Sequence, residues 1–93
     1  SLFGSTLAIA VGGERPLSLA LDNYTPAKGF GTEEVAILVL QFPLGVAASY
    51  TASWLFDKLH GRAKYVKYSG DVYLIDRDEL EALVAQIQEK NQR

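Results

Sequence analysis

The chain has no cysteine, and its 93 residues hold one histidine, one tryptophan and three prolines. The missing thiols exclude disulfides, a thiolate nucleophile and the Cys-rich zinc sites. A single imidazole, His60, cannot supply a multi-histidine metal centre, and a triad would need a nucleophile and an orienting acid beside it. Strong charge of one sign is lacking too. Nine basic against eleven acidic residues give a formal charge of −2. Nothing global draws the chain to nucleic acid or an anionic membrane, so either role needs a local patch. Residues 1–5 have neither a positive stretch nor a long apolar one, so no secretory signal is read and a cytoplasmic location is expected. The chain opens on Ser1 rather than Met, and residues 1–5 read as a non-native remnant.

What is present is apolar. Hydrophobic residues make up 48% of the chain, with Tyr 5, Phe 4 and Trp 1. That argues for a packed core over disorder, and the length fits one domain over residues 1–93. In residues 6–11, Leu7, Ile9 and Val11 alternate with Ala8 and Ala10, the period of a strand. Gly12-Gly13-Glu14-Arg15-Pro16 is a turn signal. Leu17, Leu19 and Leu21 then alternate with Ser18 and Ala20, which predicts a second strand and a first hairpin. Asn23, Pro26, Gly29 and Gly31 punctuate a loop. Thr32 followed by Glu33 and Glu34 predicts a helix start. The helix runs to about Gln41 and is kinked or ended by Phe42-Pro43. A second helical stretch is predicted from Pro43 to His60, with Gly61 at its C′ position.

Residues 64–68 and 72–75 flank Ser69-Gly70-Asp71 and read as the clearest hairpin. Asp76, with Glu79 three residues on, approximates a capping box. Leu80, Leu83, Val84 and Ile87 form the i, i+3, i+4, i+7 stripe of a last helix, and residues 89–93 read as a frayed tail. The expected fold is α+β in the order β-β-α-α-β-β-α. Two hairpins pack around a kinked central apolar helix and a C-terminal helix.

No charge falls between Glu34 and Asp57, a run long enough to cross a bilayer. Gln41, Pro43, Gly45, Ser49, Thr51 and Ser53 interrupt it, and two hairpins need an apolar partner to wrap. The buried-core reading is therefore preferred to the membrane one. Tyr50 and Trp54, four apart on one helical face, either close that core or anchor an interface. The core role is favoured, and the small residues around them also allow a homo-oligomer.

Candidate chemistry is sparse. Gly29-x-Gly31-Thr32 precedes a predicted helix but lacks the Lys-Ser/Thr of a P-loop, and Glu33 and Glu34 would repel an anion. His60 suits a helix C-terminus, where a cation is favoured. Asp71, Asp76, Asp78, Glu79 and Glu81 have structural explanations as turn, cap and first-turn residues. No catalytic, cofactor or metal residues are assigned. Residues 57–68 hold four Lys or Arg and one Asp. Here Arg62, Lys64 and Lys67 interleave with Tyr65 and Tyr68. Such a stretch can guard a sheet edge, meet an acidic protein or hold single-stranded nucleic acid, in that order of preference.

The run from Gly45-Val46-Ala47-Ala48 through Ser53-Trp54-Leu55 forms a small-residue helix ending in Trp-Leu. A basic turn, the hairpin to Ile75 and an Asp-capped helix with Leu80 and Leu83 follow. Over residues 32–87 this order resembles the small effector-associated components of bacterial conflict systems. The break at Phe42-Pro43 departs from their pattern. The resemblance implies a non-enzymatic α+β domain that couples sensors to effectors. The function expected is a non-catalytic protein-interaction module, an adaptor in a prokaryotic defence or signalling system. It would bind through Tyr50, Trp54, Arg62, Lys64, Tyr65, Lys67 or Tyr68. The alternatives are an inhibitor or immunity protein that blocks an enzyme, and a single-strand nucleic-acid binder using residues 62–68.

Overall fold

Val35, Ile37 and Val39 carry β-branched side chains at alternate positions, and such side chains favour the extended chain. In the computed structural model, which describes residues 2–22, 24–28, 34–43 and 45–91, Glu34–Pro43 is a ten-residue strand. The helix expected over 35–41 is thus corrected. Both faces of this segment are apolar, which hid its period of two. Pro43 does end the element, but the element is a strand.

The chain forms strand β1 (Leu2–Val11), a 3-10 turn (Leu17–Leu19), β2 (Tyr24–Lys28), β3 (Glu34–Pro43), helix α1 (Ala48–Leu59), β4 (Ala63–Tyr68), β5 (Asp71–Leu74) and helix α2 (Arg77–Asn91). The α+β class stands, while the expected order and packing do not. One antiparallel sheet takes the order β2-β3-β1-β4-β5. β1 is its middle strand and pairs with β3 along its length and with β4 at its C-terminal half.

The strand expected over 17–21 is replaced by the 3-10 turn. Leu17 and Leu21 are buried and Leu19 is 78% exposed, whereas a strand would place all three on one face. With Leu19 between them turned outward, Leu17 and Leu21 reach the core together because the chain coils, which brings i and i+4 to one face and sends i+2 to the other. The first expected hairpin is therefore absent, because β1 finds its partners farther along the chain. Residues 2–5, read as a remnant, lie within β1 and pair with residues 40–43 of β3. Helix α2 continues through Asn91, whose side-chain amide donates to the Ile87 carbonyl at 2.8 Å. Residues 89–91 of the expected frayed tail thus lie within α2. The loop read through Asn23, Pro26, Gly29 and Gly31 is corrected at residues 24–28, which pair with β3 as strand β2, while Asn23, Gly29, Gly31 and the cap at Thr32 and Glu33 lie outside the described residues.

The hairpin at 64–75 is as expected. Ser69 (φ 54°) and Gly70 (φ 86°) bridge the facing pair Tyr68 and Asp71, the two positive φ values of a type I′ turn. Ala36, Leu38, Leu40 and Phe42 of β3 and Leu7 and Ile9 of β1 share one sheet face with Val66 and Tyr68. Both helices lie on this face. Ala52, Leu55 and Leu59 of α1 and Leu80, Leu83, Val84 and Ile87 of α2 complete one apolar cluster. The uncharged run that could have crossed a bilayer is divided between β3 and α1. Among the described residues no helix is long and apolar enough to span a membrane.

Candidate functional site

Helix α1 begins after Ala47, whose carbonyl accepts the N–H groups of Tyr50 and Thr51. Gln88 of α2 donates to the Val46 carbonyl at 2.7 Å and so fixes the approach to α1. Burying Ala52, Leu55 and Leu59 turns residues 50, 54 and 57 outward, since these lie on a different side of a 3.6-residue turn. Tyr50 is 75% and Trp54 41% exposed. The favoured reading of the two aromatics as core closers does not hold. They line a groove of 230 Å³ with Leu40, Gln41, Val46 and Thr51. The groove is open and mainly apolar, which suits an apolar side chain of a partner. A second concavity continues past Tyr50 and Trp54 to Ser49, Ser53 and Asp57.

The basic stretch is divided by the fold. Arg62 turns back onto α1, where its Nη1 donates to the carbonyls of Lys58 (3.1 Å) and Asp57 (3.3 Å). It closes the helix C-terminus, where orphan carbonyls and the dipole both favour a cation. Gly61 sits at C′ with φ 77° as expected. His60 stacks on Phe56 with ring centroids 4.8 Å apart. Tyr68 is buried in the helix-side core, with the Lys90 ammonium 5.6 Å from its ring centroid.

Lys64, Tyr65 and Lys67 come together on the other sheet face. The register shifts between Ala10 and Val11, so that Ala10 faces Tyr65 and Val11 faces Ala63. Lys64 is the extra residue of this bulge, and its stem lies over Gly12, where an added Cβ would come within 2.6 Å of Lys64 Cε. The Lys67 ammonium sits 5.8 Å from the Tyr65 ring centroid.

The acidic run is spread along β5 and α2. Asp71 opens β5, and the Asp76 carboxylate accepts the N–H groups of Asp78 and Glu79, so the expected cap is present. Glu79 does not reach back to the Asp76 N–H as in a capping box. It accepts the Leu74 N–H at 2.6 Å instead. Among the described residues no three acidic or histidine side chains converge to hold a metal ion.

Val39, Val72 and Leu74 were missed by sequence reasoning. They are 48%, 52% and 58% exposed, and all three lie on the sheet face away from the helices. The signal was present: read with period two, Val35, Ile37 and Val39 belong to one face. Compared with family models, curated proteins and solved structures, the chain matches none.

Proposed function

We propose that this chain is a non-catalytic protein-interaction module that binds a partner through Tyr50 and Trp54 of α1. The observation that carries this reading is the exposure of two large aromatics that line a small apolar groove. Tyr and Trp are the residues most enriched at binding hot spots, because each brings much apolar area and few rotamers. The core does not need them, since α1 is anchored by Ala52, Leu55 and Leu59. The adaptor role in a prokaryotic defence or signalling system is supported by the sequence resemblance alone.

The test is affinity capture from the source lysate with the tagged domain, its Trp54→Ala variant and its Tyr50→Ala variant, each with and without nuclease. The expected result is one protein retained by the parent and depleted at least about ten-fold by Trp54→Ala, the size of a modest hot spot, with nuclease making no difference. Equal retention by all three forms overturns the role of this face. Retention that vanishes with nuclease overturns the protein-binding reading.

A further inference from the structure

The second sheet face goes beyond the α1 groove, and the two stand on different residues. Neither helix covers it. The pairings place Thr25, Ile37, Ala8, Lys67 and Val72 in one row across all five strands, with Val35, Ala10, Tyr65 and Leu74 in the next. Along the middle strand the side chains are short: Thr6, Ala8 and Ala10. On one side β3 raises Val35, Ile37 and Val39. On the other, β4 raises Tyr65 and Lys67. Ala10 is almost fully buried although it is not part of the helix-side core, since these flanking side chains shelter it. Strands lie about 4.8 Å apart, so the two ridges stand about 10 Å apart, the diameter of an α-helix with its side chains.

Charge narrows the occupant. The face carries Lys64 and Lys67, and no carboxylate occupies any of its described register positions. A second copy seated face to face would offer Lys64 and Lys67 no carboxylate in return, which works against self-pairing. Nucleic acid would meet two lysines but also Val39, Val72 and Leu74, apolar groups that phosphates do not solvate. A further strand is also opposed. β2 contains Pro26, which has no N–H to offer, and on β5 the Leu74 N–H is taken by Glu79. Edges closed in this way leave the face as the place of contact. We infer that this face binds an amphipathic helix of another protein, apolar along the side seated over β1 and carrying Asp or Glu on its flank toward β4. The domain then holds two partners on separate layers, as an adaptor must.

The probe is a synthetic 18-residue helix with Leu at i, i+3, i+4 and i+7 spacing and Glu on its flanks. Its counterpart carries Lys in place of Glu. Each is titrated into the ¹⁵N-labelled domain. The Glu peptide is expected to shift the amides of Ala8, Ile37, Tyr65 and Val72 and to bind at least about ten-fold more tightly than the Lys peptide. Lys67→Glu, at an exposed position, leaves Lys64 opposed by the new carboxylate and should abolish that preference. Trp54→Ala should leave peptide binding unchanged, which separates a failure here from a failure of the α1 reading. Equal affinity for the two peptides, or shifts confined to residues 46–54, overturns the inference. So does loss of the peptide site to a dimer seen by light scattering. Salt-sensitive binding of oligo-dT to the same amides, without binding of the Glu peptide, overturns it in favour of nucleic acid.

Discussion

The carbonyl oxygen of Gly61 lies only 2.3 Å from where a Cβ on Gly13 would stand. Gly61 accepts the N–H groups of Glu14 and Arg15, and Arg15 Nη2 donates to the His60 carbonyl at 2.8 Å. The segment leaving β1 is thereby clasped to the end of α1, 45 residues away. Gly13 also has φ 134°, a conformation open to glycine and strained for other residues. Gly13→Ala therefore combines a backbone clash with strain and should cost about 2–3 kcal/mol. Equilibrium denaturation in urea measures it, and a loss under about 0.5 kcal/mol, the level of an ordinary surface change, would refute the clasp.

The two neighbours on α1, Trp54 and Leu55, should lose very different amounts of stability when truncated. Leu55 is fully buried among both helices and the sheet, so Leu55→Ala should lose about 2–5 kcal/mol through transfer and cavity terms. Trp54→Ala removes a larger side chain from a site that water already reaches and should lose about 1 kcal/mol or less. Denaturation midpoints of the pair decide the matter. A Trp54→Ala loss equal to that of Leu55→Ala would return the indole to the core and remove the basis for the α1 interface.

These contrasts show why some of the fold was legible in the sequence and some was not. The hairpin from Ala63 to Leu74 and helix α2 were read correctly because each carries its own signals: a two-residue turn, a cap and a single apolar stripe. β3 was misread because it is apolar on both faces, one against the helices and one toward the lysine-bearing side. Its partners, β1 and β2, are also distant or poorly marked, and strand pairing is a non-local property. Leu17, Leu19 and Leu21 failed for the opposite reason. Their alternation was real, but two point inward by coiling and the third points out. Tyr50 and Trp54 were singled out by type and spacing, but the sequence favoured the core for them, because an apolar helix does not show which of its faces is covered. Lys64, Tyr65 and Lys67 were found as a run, but only the bulge after Ala10 shows that they share a face without Arg62 and Tyr68.

Glu79 links the start of α2 to the outer edge of the sheet. Its carboxylate accepts the Leu74 N–H, and the Leu74 carbonyl accepts the Asp76 N–H. Asp76→Ala removes the helix cap and should cost about 1 kcal/mol. Glu79→Ala should cost a similar amount and also bare the Leu74 N–H on an edge strand. Amide exchange at Leu74 should then accelerate, and the variant should associate at high concentration where the parent does not. Unchanged Leu74 exchange in Glu79→Ala would show that the edge is guarded by something other than this carboxylate.

Tyr73 ties β5 to α2 by donating its hydroxyl to Gln86 Oε1. Burial holds its phenol above the ordinary value of 10.0, and the charges of Asp71 and Tyr68 push the same way. The folded protein therefore keeps this proton to higher pH than the unfolded chain does. Below about pH 10 the phenol is neutral in both states and its contribution to stability is complete. As pH rises past 10 the unfolded chain ionises first, and stability falls until the folded phenol ionises as well. Tyr73→Phe should lose about 1 kcal/mol at neutral pH with the hydrogen bond, yet its stability should decline less steeply above pH 10 than that of the parent. Denaturation curves between pH 8 and 11.5 for both proteins provide the comparison. Parallel declines would mean that Tyr73 ionises alike in the folded and unfolded chains, so that neither burial nor the bond to Gln86 favours the neutral phenol in the fold.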